Sequence, residues 1–134
     1  KKLYSEYLLP QRDSDSTAGY DIYLLEDLRL EPNEVVKLPT GIKSYFEKDE
    51  VLILVIRSSM GFKYNIRLCN QVGIIDADYY NNPDNEGHIW IKIQNEGNET
   101  ITFSKGEAIA QGIFFKYLTT KSDRSIDIER RSDY

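Results

Sequence analysis

The sequence predicts an all-β fold. Short runs of strand length, rich in Val, Ile, Leu and Tyr, recur along the 134 residues and are separated by Gly, Pro and Asn turn signals. Residues 51–56 form one continuous apolar run, as expected for a strand that is covered on both faces. No window keeps an apolar helical stripe over three turns. Strands at this spacing favour a single-domain sandwich or barrel.

The order of the elements follows from these runs. The first strand is predicted at residues 20–25, and Pro39-Thr40-Gly41 is a turn signal between two further strands at 34–38 and 42–46. At most one short helix is expected; it follows Ser58-Ser59, which are able to cap it. Asn65 is a candidate for a left-handed backbone position. The remaining strands are predicted at 51–56, 66–75, 88–94, 99–103 and 108–115.

Two polar segments set the domain organisation. Residues 81–87, Asn-Asn-Pro-Asp-Asn-Glu-Gly, have strong turn chemistry and are expected to project into water. Beyond Leu118 the composition changes to Thr, Ser, Lys and Asp, which is typical of a mobile segment. We therefore expect a β domain at residues 1–118 and a mobile C-terminal arm at residues 119–134.

Composition excludes several classes of function. The net charge of −5 and the pI near 4.9 argue against a nucleic-acid partner, which needs a basic face. No apolar run reaches the ~18 residues of a membrane span or resembles a signal peptide, so no membrane partner and a cytoplasmic location are expected. Cys69 is the only cysteine and is expected to be a small buried side chain. His88 is the only histidine, which makes a protein-built zinc site improbable.

The most informative stretch is residues 70–79, Asn-Gln-Val-Gly-Ile-Ile-Asp-Ala-Asp-Tyr. An apolar strand here delivers Asp76, Asp78 and Tyr79 into a tight turn. Burial of an unpaired carboxylate costs several kcal/mol. Taken alone, the two acids are either turn-formers that face water or groups held at the edge of a pocket for chemistry.

A second candidate site is Arg57-Ser58-Ser59-Met60-Gly61, which follows the apolar strand directly. The guanidinium, the two hydroxyls and a close backbone approach at the glycine suit a phosphate. A surface turn with a capping serine explains the same residues equally well. Residues 57–67 contain three cations and no acidic residue, which makes a local positive island in an acidic chain.

The order of four segments decides between these interpretations. Ala-Gly-Tyr-Asp at 18–21, Arg-Ser-Ser-x-Gly at 57–61, Asn-x-x-Gly-x-Ile-Asp-x-Asp-Tyr at 70–79 and Gly-x-x-Ile-Ala-Gln at 106–111 follow one another. Together they resemble the first four signature motifs of the trimeric dUTPases, over about residues 17 to 118. Each motif alone is weak, but four in sequence with β segments between them are highly specific. The loop at 81–86 resembles a short insertion of some bacterial and phage members.

The resemblance implies a distorted β jelly roll, assembled as a homotrimer whose three active sites are shared between subunits. It implies hydrolysis of dUTP to dUMP and pyrophosphate with Mg²⁺. By the motif match, Asp76 is the general base that activates water for attack on the α-phosphorus. Tyr79 packs against the deoxyribose and leaves no room for a 2′-hydroxyl.

The resemblance also implies the other contacts. Asp21 orders the hydration shell of the metal, which the triphosphate mainly holds, or orders a neighbouring Arg. The uracil is read by the side chain of Asn70 and by backbone groups of Gly73, Ile74 and Ile75 and of the strand near Trp90. The groups that bind phosphate oxygens are Arg57, Ser58, Ser59, Gly61 and Gln111.

One departure from the family pattern concerns the fifth motif, an Arg followed by a glycine-rich tail that closes over the nucleotide. The sequence stops at Arg130-Arg131-Ser132-Asp133-Tyr134 without that tail. Arg130 or Arg131 takes the place of the arginine, and Tyr134 that of the aromatic residue that stacks on uracil. We expect both ends to be clipped; if this ending is native, closure and turnover are in doubt.

Two rival functions follow from the same residues. A dUTP-binding regulatory or interaction protein on this scaffold, with little or no turnover, is favoured by the missing tail and by the 81–86 loop. An intact Asp76 and Tyr79 favour the enzyme, because a pure binder needs no base. The related dCTP deaminases share the fold but lack the Asp-x-Asp-Tyr arrangement.

Overall fold

The computed structural model describes residues 9–124 and 128–134. Predictions for residues 1–8 and 125–127 lie outside this part of the chain. Within the described residues, all strand pairing is antiparallel and one α-helix is present. The all-β fold with one short helix is therefore confirmed. No helix in these residues has the length and apolar character needed to cross a membrane.

The strands form three sheets. The largest has the order β1-β9-β4-β6, the second pairs β2 with β8, and the third has the order β3-β7-β5. The strands are β1 Tyr20–Tyr23, β2 Leu28–Leu30, β3 Val35–Pro39, β4 Glu50–Ile56, β5 Ile66–Leu68, β6 Gly73–Asp76, β7 Trp90–Asn95, β8 Ile101–Phe103 and β9 Ala108–Lys116.

The core lies between the sheets and is built from alternating inward residues. β7 shows the period clearly, because Ile91 and Ile93 are buried while Lys92 between them is exposed. Removing such a side chain from water contributes about 1.5–3 kcal/mol. The fully buried apolar side chains are Leu30, Leu54, Ile66, Ile89, Ile93 and Ile109.

The predicted strand at 66–75 is wrong as one element. It divides into β5 and β6, which belong to different sheets, so the chain crosses between sheets at residues 69–72. Gln71 takes a left-handed conformation with φ 63°, and its N–H donates to the carbonyl of Leu68 over 3.0 Å. Asn70 and Gln71 are exposed polar residues at the crossing, and they are the local signal for a turn that the single-strand prediction missed.

The predicted strand at 42–46 is also wrong. The expected alternation of burial is present, since Phe46 is buried and Tyr45 is exposed. Among the described residues, however, no strand pairs with residues 42–46. Only the carbonyl of Ile42 accepts a backbone hydrogen bond from the returning chain, from the N–H of Ile89 over 2.9 Å. The strand β2 was not predicted.

The helix α1, Ser58–Tyr64, starts one residue earlier than the serine caps imply. Arg57 is the N-cap, and no side-chain hydrogen bond caps this end, so the predicted serine cap is wrong. At the other end Asn65 adopts the left-handed conformation with φ 56°, as predicted, and its N–H donates to the carbonyl of Gly61 over 3.1 Å.

Asn95 at the end of β7 is a buried polar anchor and yields a stability prediction. Its side chain is fully buried, donates to the carbonyls of Leu30 and Glu99, and accepts from the N–H of Gly97. Asn95→Leu keeps the branching of the side chain but leaves these groups unsatisfied, so the free energy of unfolding should fall by about 3–5 kcal/mol. Urea unfolding of this variant beside the exposed Asn98→Leu measures the difference; equal midpoints would contradict the anchor role.

Candidate active site

A cavity of about 320 Å³ lies between β6, β7 and the C-terminal residues. Its volume is at the lower end of the range for small-molecule sites. Lys37 was not predicted; its Nζ atom lies 4.9 Å from the centre of the Trp90 ring. The lining residues that matter below are Lys37, Asn70, Gly73, Trp90, Asp133 and Tyr134.

The crossing turn at residues 69–72 and the edge strand β6 form one side of this cavity. Asn70 is exposed at the turn, beside the half-buried Cys69, so the predicted burial of that thiol is only partly right. Gly73 allows β6 to lie close to β4, because a Cβ there would come 3.0 Å from the Cβ of Leu54. β6 is the outer strand of its sheet, so backbone groups on its outer side have no neighbouring strand.

Asp76, the last residue of β6, lies at the end of this edge. Its side chain keeps 48% of its surface exposed, and its Oδ2 atom is 3.1 Å from NH1 of Arg130. The same NH1 atom is 3.4 Å from Oδ1 of Asp78, which is more exposed. Asp76 is thus an accessible carboxylate that contacts the C-terminal arm, while Asp78 faces water.

Tyr79 follows in a 3₁₀ turn at Ala77–Tyr79 and is only 3% exposed. Its hydroxyl donates to the carbonyl of His88 over 2.8 Å and accepts from Nδ2 of Asn85 over 2.7 Å. The Tyr79 ring meets the Tyr134 ring edge-on, with centroids 5.9 Å apart. Burial raises the pKa of the Tyr134 phenol. The arm therefore covers the ring that sequence reasoning assigned to sugar contact.

The loop at 81–87 does not simply project into water, as predicted from its composition. Asn82 is buried and its Nδ2 atom donates to the carbonyl of Tyr79 over 2.8 Å. Asp84 accepts from NH1 of Arg131 over 2.8 Å and from the N–H of Ser132 over 2.7 Å. The hydrogen bond from Ser132, followed by that from Arg131, lowers the pKa of Asp84. The loop is thus a docking point for the arm, which its polar composition did not reveal.

The predicted phosphate-binding residues form a second cluster around Arg57. Its NH1 atom lies 3.3 Å from Oδ2 of the buried Asp21, and NH2 lies 3.8 Å from Oδ2 of Asp13. Gln111 stands directly opposite Asp21 in the pairing of β1 with β9. Burial raises the pKa of Asp21, and the Arg57 guanidinium partly offsets this. In α1, Ser58 is exposed, whereas Ser59 and Gly61 are half-buried.

One chain does not bring the two clusters together. Asp76 stands opposite Val51 in the β4–β6 pairing, and Arg57 follows Val51 by six residues. At the rise per residue of an extended strand, six residues separate Asp76 from Arg57 by about 20 Å.

The two isoleucines of β6 face opposite sides. Ile75 is buried and contacts the core, whereas Ile74 is exposed to solvent.

The residues fit a magnesium ion that is held mainly by a ligand rather than by the protein. Among residues 9–124 and 128–134, no three His, Cys, Asp or Glu side chains come together as a metal cage. Mg²⁺ commonly binds through phosphates and waters with only one or two carboxylates. The carboxylate of Asp21 contacts Arg57, and this contact favours the ordering of that Arg over a role at the metal.

His88 gives a prediction for pH dependence. Its Nε2 atom accepts a hydrogen bond from the N–H of Gly41 over 3.0 Å, which requires the neutral ring. Burial lowers the pKa of His88 below its ordinary value of 6.5, and Glu86 partly offsets this. The unfolded chain therefore binds the proton more readily, so stability is complete above pH 6.5 and falls as the pH drops below it.

This histidine can be tested alone because the chain has no other. His88→Gln keeps an acceptor for Gly41 but cannot titrate. The melting temperature of the wild type should fall between about pH 7.5 and pH 5.5, and that of His88→Gln should change much less. Parallel slopes in the two proteins would assign the pH dependence to other groups.

Comparisons with known proteins agree on one family. A family model described as dUTPase matches residues 5–133. A deoxyuridine 5′-triphosphate nucleotidohydrolase of Lactococcus lactis is 41% identical over 124 residues, which are 92% of this chain and 83% of the relative. The crystal structure of a Streptococcus mutans dUTPase superposes with a TM-score of 0.78 at 39% identity, over 88% of this chain and 95% of that one. A dUTPase from phage phi11 of S. aureus shares the fold with a TM-score of 0.74 at 23% identity, over 92% of each chain.

Proposed function

The chain belongs to the dUTPase family, and from this premise we propose that it hydrolyses dUTP to dUMP and pyrophosphate. The observation that carries the proposal is the half-exposed Asp76 at the end of β6, the strand whose first residue, Gly73, lines a cavity of about 320 Å³. A solvent-accessible carboxylate on that strand can take a proton from water. The proposed substrate is a soluble nucleotide, so the proposed location is the cytoplasm.

In the proposed reaction Asp76 is the general base. One of its oxygens orients the water that attacks the α-phosphorus and accepts the proton as the bond to the bridging oxygen breaks. A Mg²⁺ ion bound by the triphosphate supplies charge neutralisation on the phosphate oxygens. Arg130, 3.1 Å from Asp76, supplies a cation beside the same carboxylate.

The cavity accounts for recognition of the base and the sugar. In the proposed complex, Asn70 and the outer backbone groups of Gly73, Ile74 and Ile75 read the uracil edge, with Trp90 on β7 nearby. Main-chain donors and acceptors have fixed positions, so they reject cytosine, whose exocyclic amine reverses one hydrogen bond. The Tyr79 ring excludes a 2′-hydroxyl.

We propose that the phosphate-binding cluster comes from a second copy of the chain in a homotrimer. The separation of about 20 Å between Asp76 and Arg57 is too long for one triphosphate to span within one chain. Large apolar side chains that are exposed in the single chain support assembly, since contact with another chain would remove them from water. They include Phe62, Phe114, Phe115, Tyr117 and Leu118.

The function is tested by pyrophosphate release from dUTP, dCTP and UTP, with and without Mg²⁺. We expect turnover of dUTP only, with strong dependence on the metal. Binding of dUTP without turnover would replace the enzyme by a dUTP-binding regulatory protein. Ammonia release from dCTP would move the chain to the deaminases.

A further inference from the structure

We propose that Asn85 is a positioning residue for Tyr79 and that it ties this ring to the C-terminal arm. The inference rests on the proposed function, because it concerns how the site distinguishes a deoxyribose from a ribose. Asn85 lies in the 81–87 loop, outside the four motifs that carry the family resemblance. Its test is an equilibrium binding measurement, so it does not depend on turnover.

The Tyr79 hydroxyl is held from two sides. It donates to the carbonyl of His88 over 2.8 Å and accepts from Nδ2 of Asn85 over 2.7 Å. A phenol with both a donor and an acceptor satisfied cannot rotate or shift without breaking one bond. The ring that excludes the 2′-hydroxyl is therefore fixed at its far end by this carboxamide.

The Asn85 carboxamide is itself fixed. Its Oδ1 atom accepts from the N–H of Gly87 over 3.1 Å and from Nδ2 of Asn82 over 2.8 Å. Because a backbone N–H can only donate, the oxygen must face Gly87 and the NH₂ group must face Tyr79. The Gly87 N–H therefore fixes which end of the Asn85 carboxamide faces Tyr79.

The loop that carries Asn85 packs tightly against the residue it positions. Asn82 donates to the carbonyl of Tyr79 over 2.8 Å. Gly87 has φ 94°, and a Cβ at this position would come 3.0 Å from the Tyr79 carbonyl oxygen. The loop is therefore a buttress behind Tyr79, held by side-chain and backbone contacts.

The same amide reaches the arm. Nδ2 of Asn85 lies 3.2 Å from Oγ of Ser132, whose N–H donates to Asp84 over 2.7 Å. Tyr134, two residues further, meets the Tyr79 ring edge-on. The hydrogen bonds from Ser132 through Asn85 to Tyr79 thus connect docking of the arm to the position of the sugar-contacting ring.

The test measures the dissociation constants of dUMP and UMP by calorimetry. Asn85→Ala should reduce the preference for dUMP over UMP by about three- to tenfold, the size expected from loss of the hydrogen bond to the Tyr79 hydroxyl. Asn98→Ala, an exposed Asn in another turn, is the matched control and should keep the wild-type preference. Tyr79→Phe removes the hydroxyl that accepts this hydrogen bond, together with its bond to the His88 carbonyl, and tests the same effect if Asn85→Ala does not fold.

A double-mutant cycle separates positioning from a general structural role. If Asn85 acts through the Tyr79 hydroxyl, Asn85→Ala should have little further effect on the preference in the Tyr79→Phe background. Equal effects in both backgrounds, or an unchanged preference in Asn85→Ala, would overturn the inference. Failure of the proposed function would be seen in a different measurement. In that case the wild type would release no pyrophosphate from dUTP, whatever its binding preference.

Discussion

Replacing Asp76 by Asn should lower kcat for dUTP by about a thousandfold or more while dUTP binding changes little. The amide has nearly the shape of the carboxylate and still accepts a hydrogen bond from Arg130, but it cannot take a proton from water. A base acts mainly in the transition state, so its loss appears in kcat rather than in the dissociation constant. Single-turnover rates together with equilibrium binding of dUTP measure the two quantities separately.

Asp78→Asn is the matched control for this variant. Asp78 is two residues away, is more exposed, and contacts the same guanidinium nitrogen of Arg130 at 3.4 Å. Its activity should stay within a few fold of the wild type, because Asp78 lies beyond the end of β6 and its side chain is more exposed than that of Asp76. Loss of turnover in Asp78→Asn with retention in Asp76→Asn would give the role of base to the other carboxylate.

The second large effect concerns sharing of the site between chains. Arg57→Ala should abolish turnover as fully as Asp76→Asn, because the triphosphate loses its guanidinium. A mixture of the two inactive chains, unfolded and refolded together, should regain activity. In an equal mixture, about one site in four combines Asp76 from one chain with Arg57 from another.

The mixing experiment has an internal control. Each variant refolded alone should stay inactive, and a native mass measurement should show mixed trimers. Arg57 also contacts Asp21 and Asp13, so Gln111→Ala is the substitute if Arg57→Ala does not fold. Mixed trimers without recovered activity would mean that both clusters serve a site within one chain.

The order of the motifs predicted more of the site than any local pattern. Asn70, Gly73, Trp90 and Tyr134 line one cavity, Asp76 ends the strand that Gly73 begins, and the Tyr79 ring meets the Tyr134 ring. Their roles stay predictions. The left-handed Asn65 was also predictable, since Asn tolerates that conformation.

Other features could not be predicted, because they depend on pairing between distant segments. Lys37 meets Trp90 only because β3 pairs with β7, and neither strand contains a signal for that register. By contrast, the 66–75 segment divides between two sheets at the polar pair Asn70-Gln71, a local turn signal that the prediction of one continuous strand passed over. Asn82 is a turn residue by composition, yet burial and a hydrogen bond to Tyr79 make it an internal support.

The contact between Arg130 and Asp76 has a consequence for the effect of ionic strength. Both side chains reach solvent, so the pair is worth less than about 1 kcal/mol and is weakened by salt. Added salt loosens Arg130 from the carboxylate, and it also weakens the attraction of Arg57 for phosphate oxygens. Ionic strength therefore weakens charge contacts in both halves of the site.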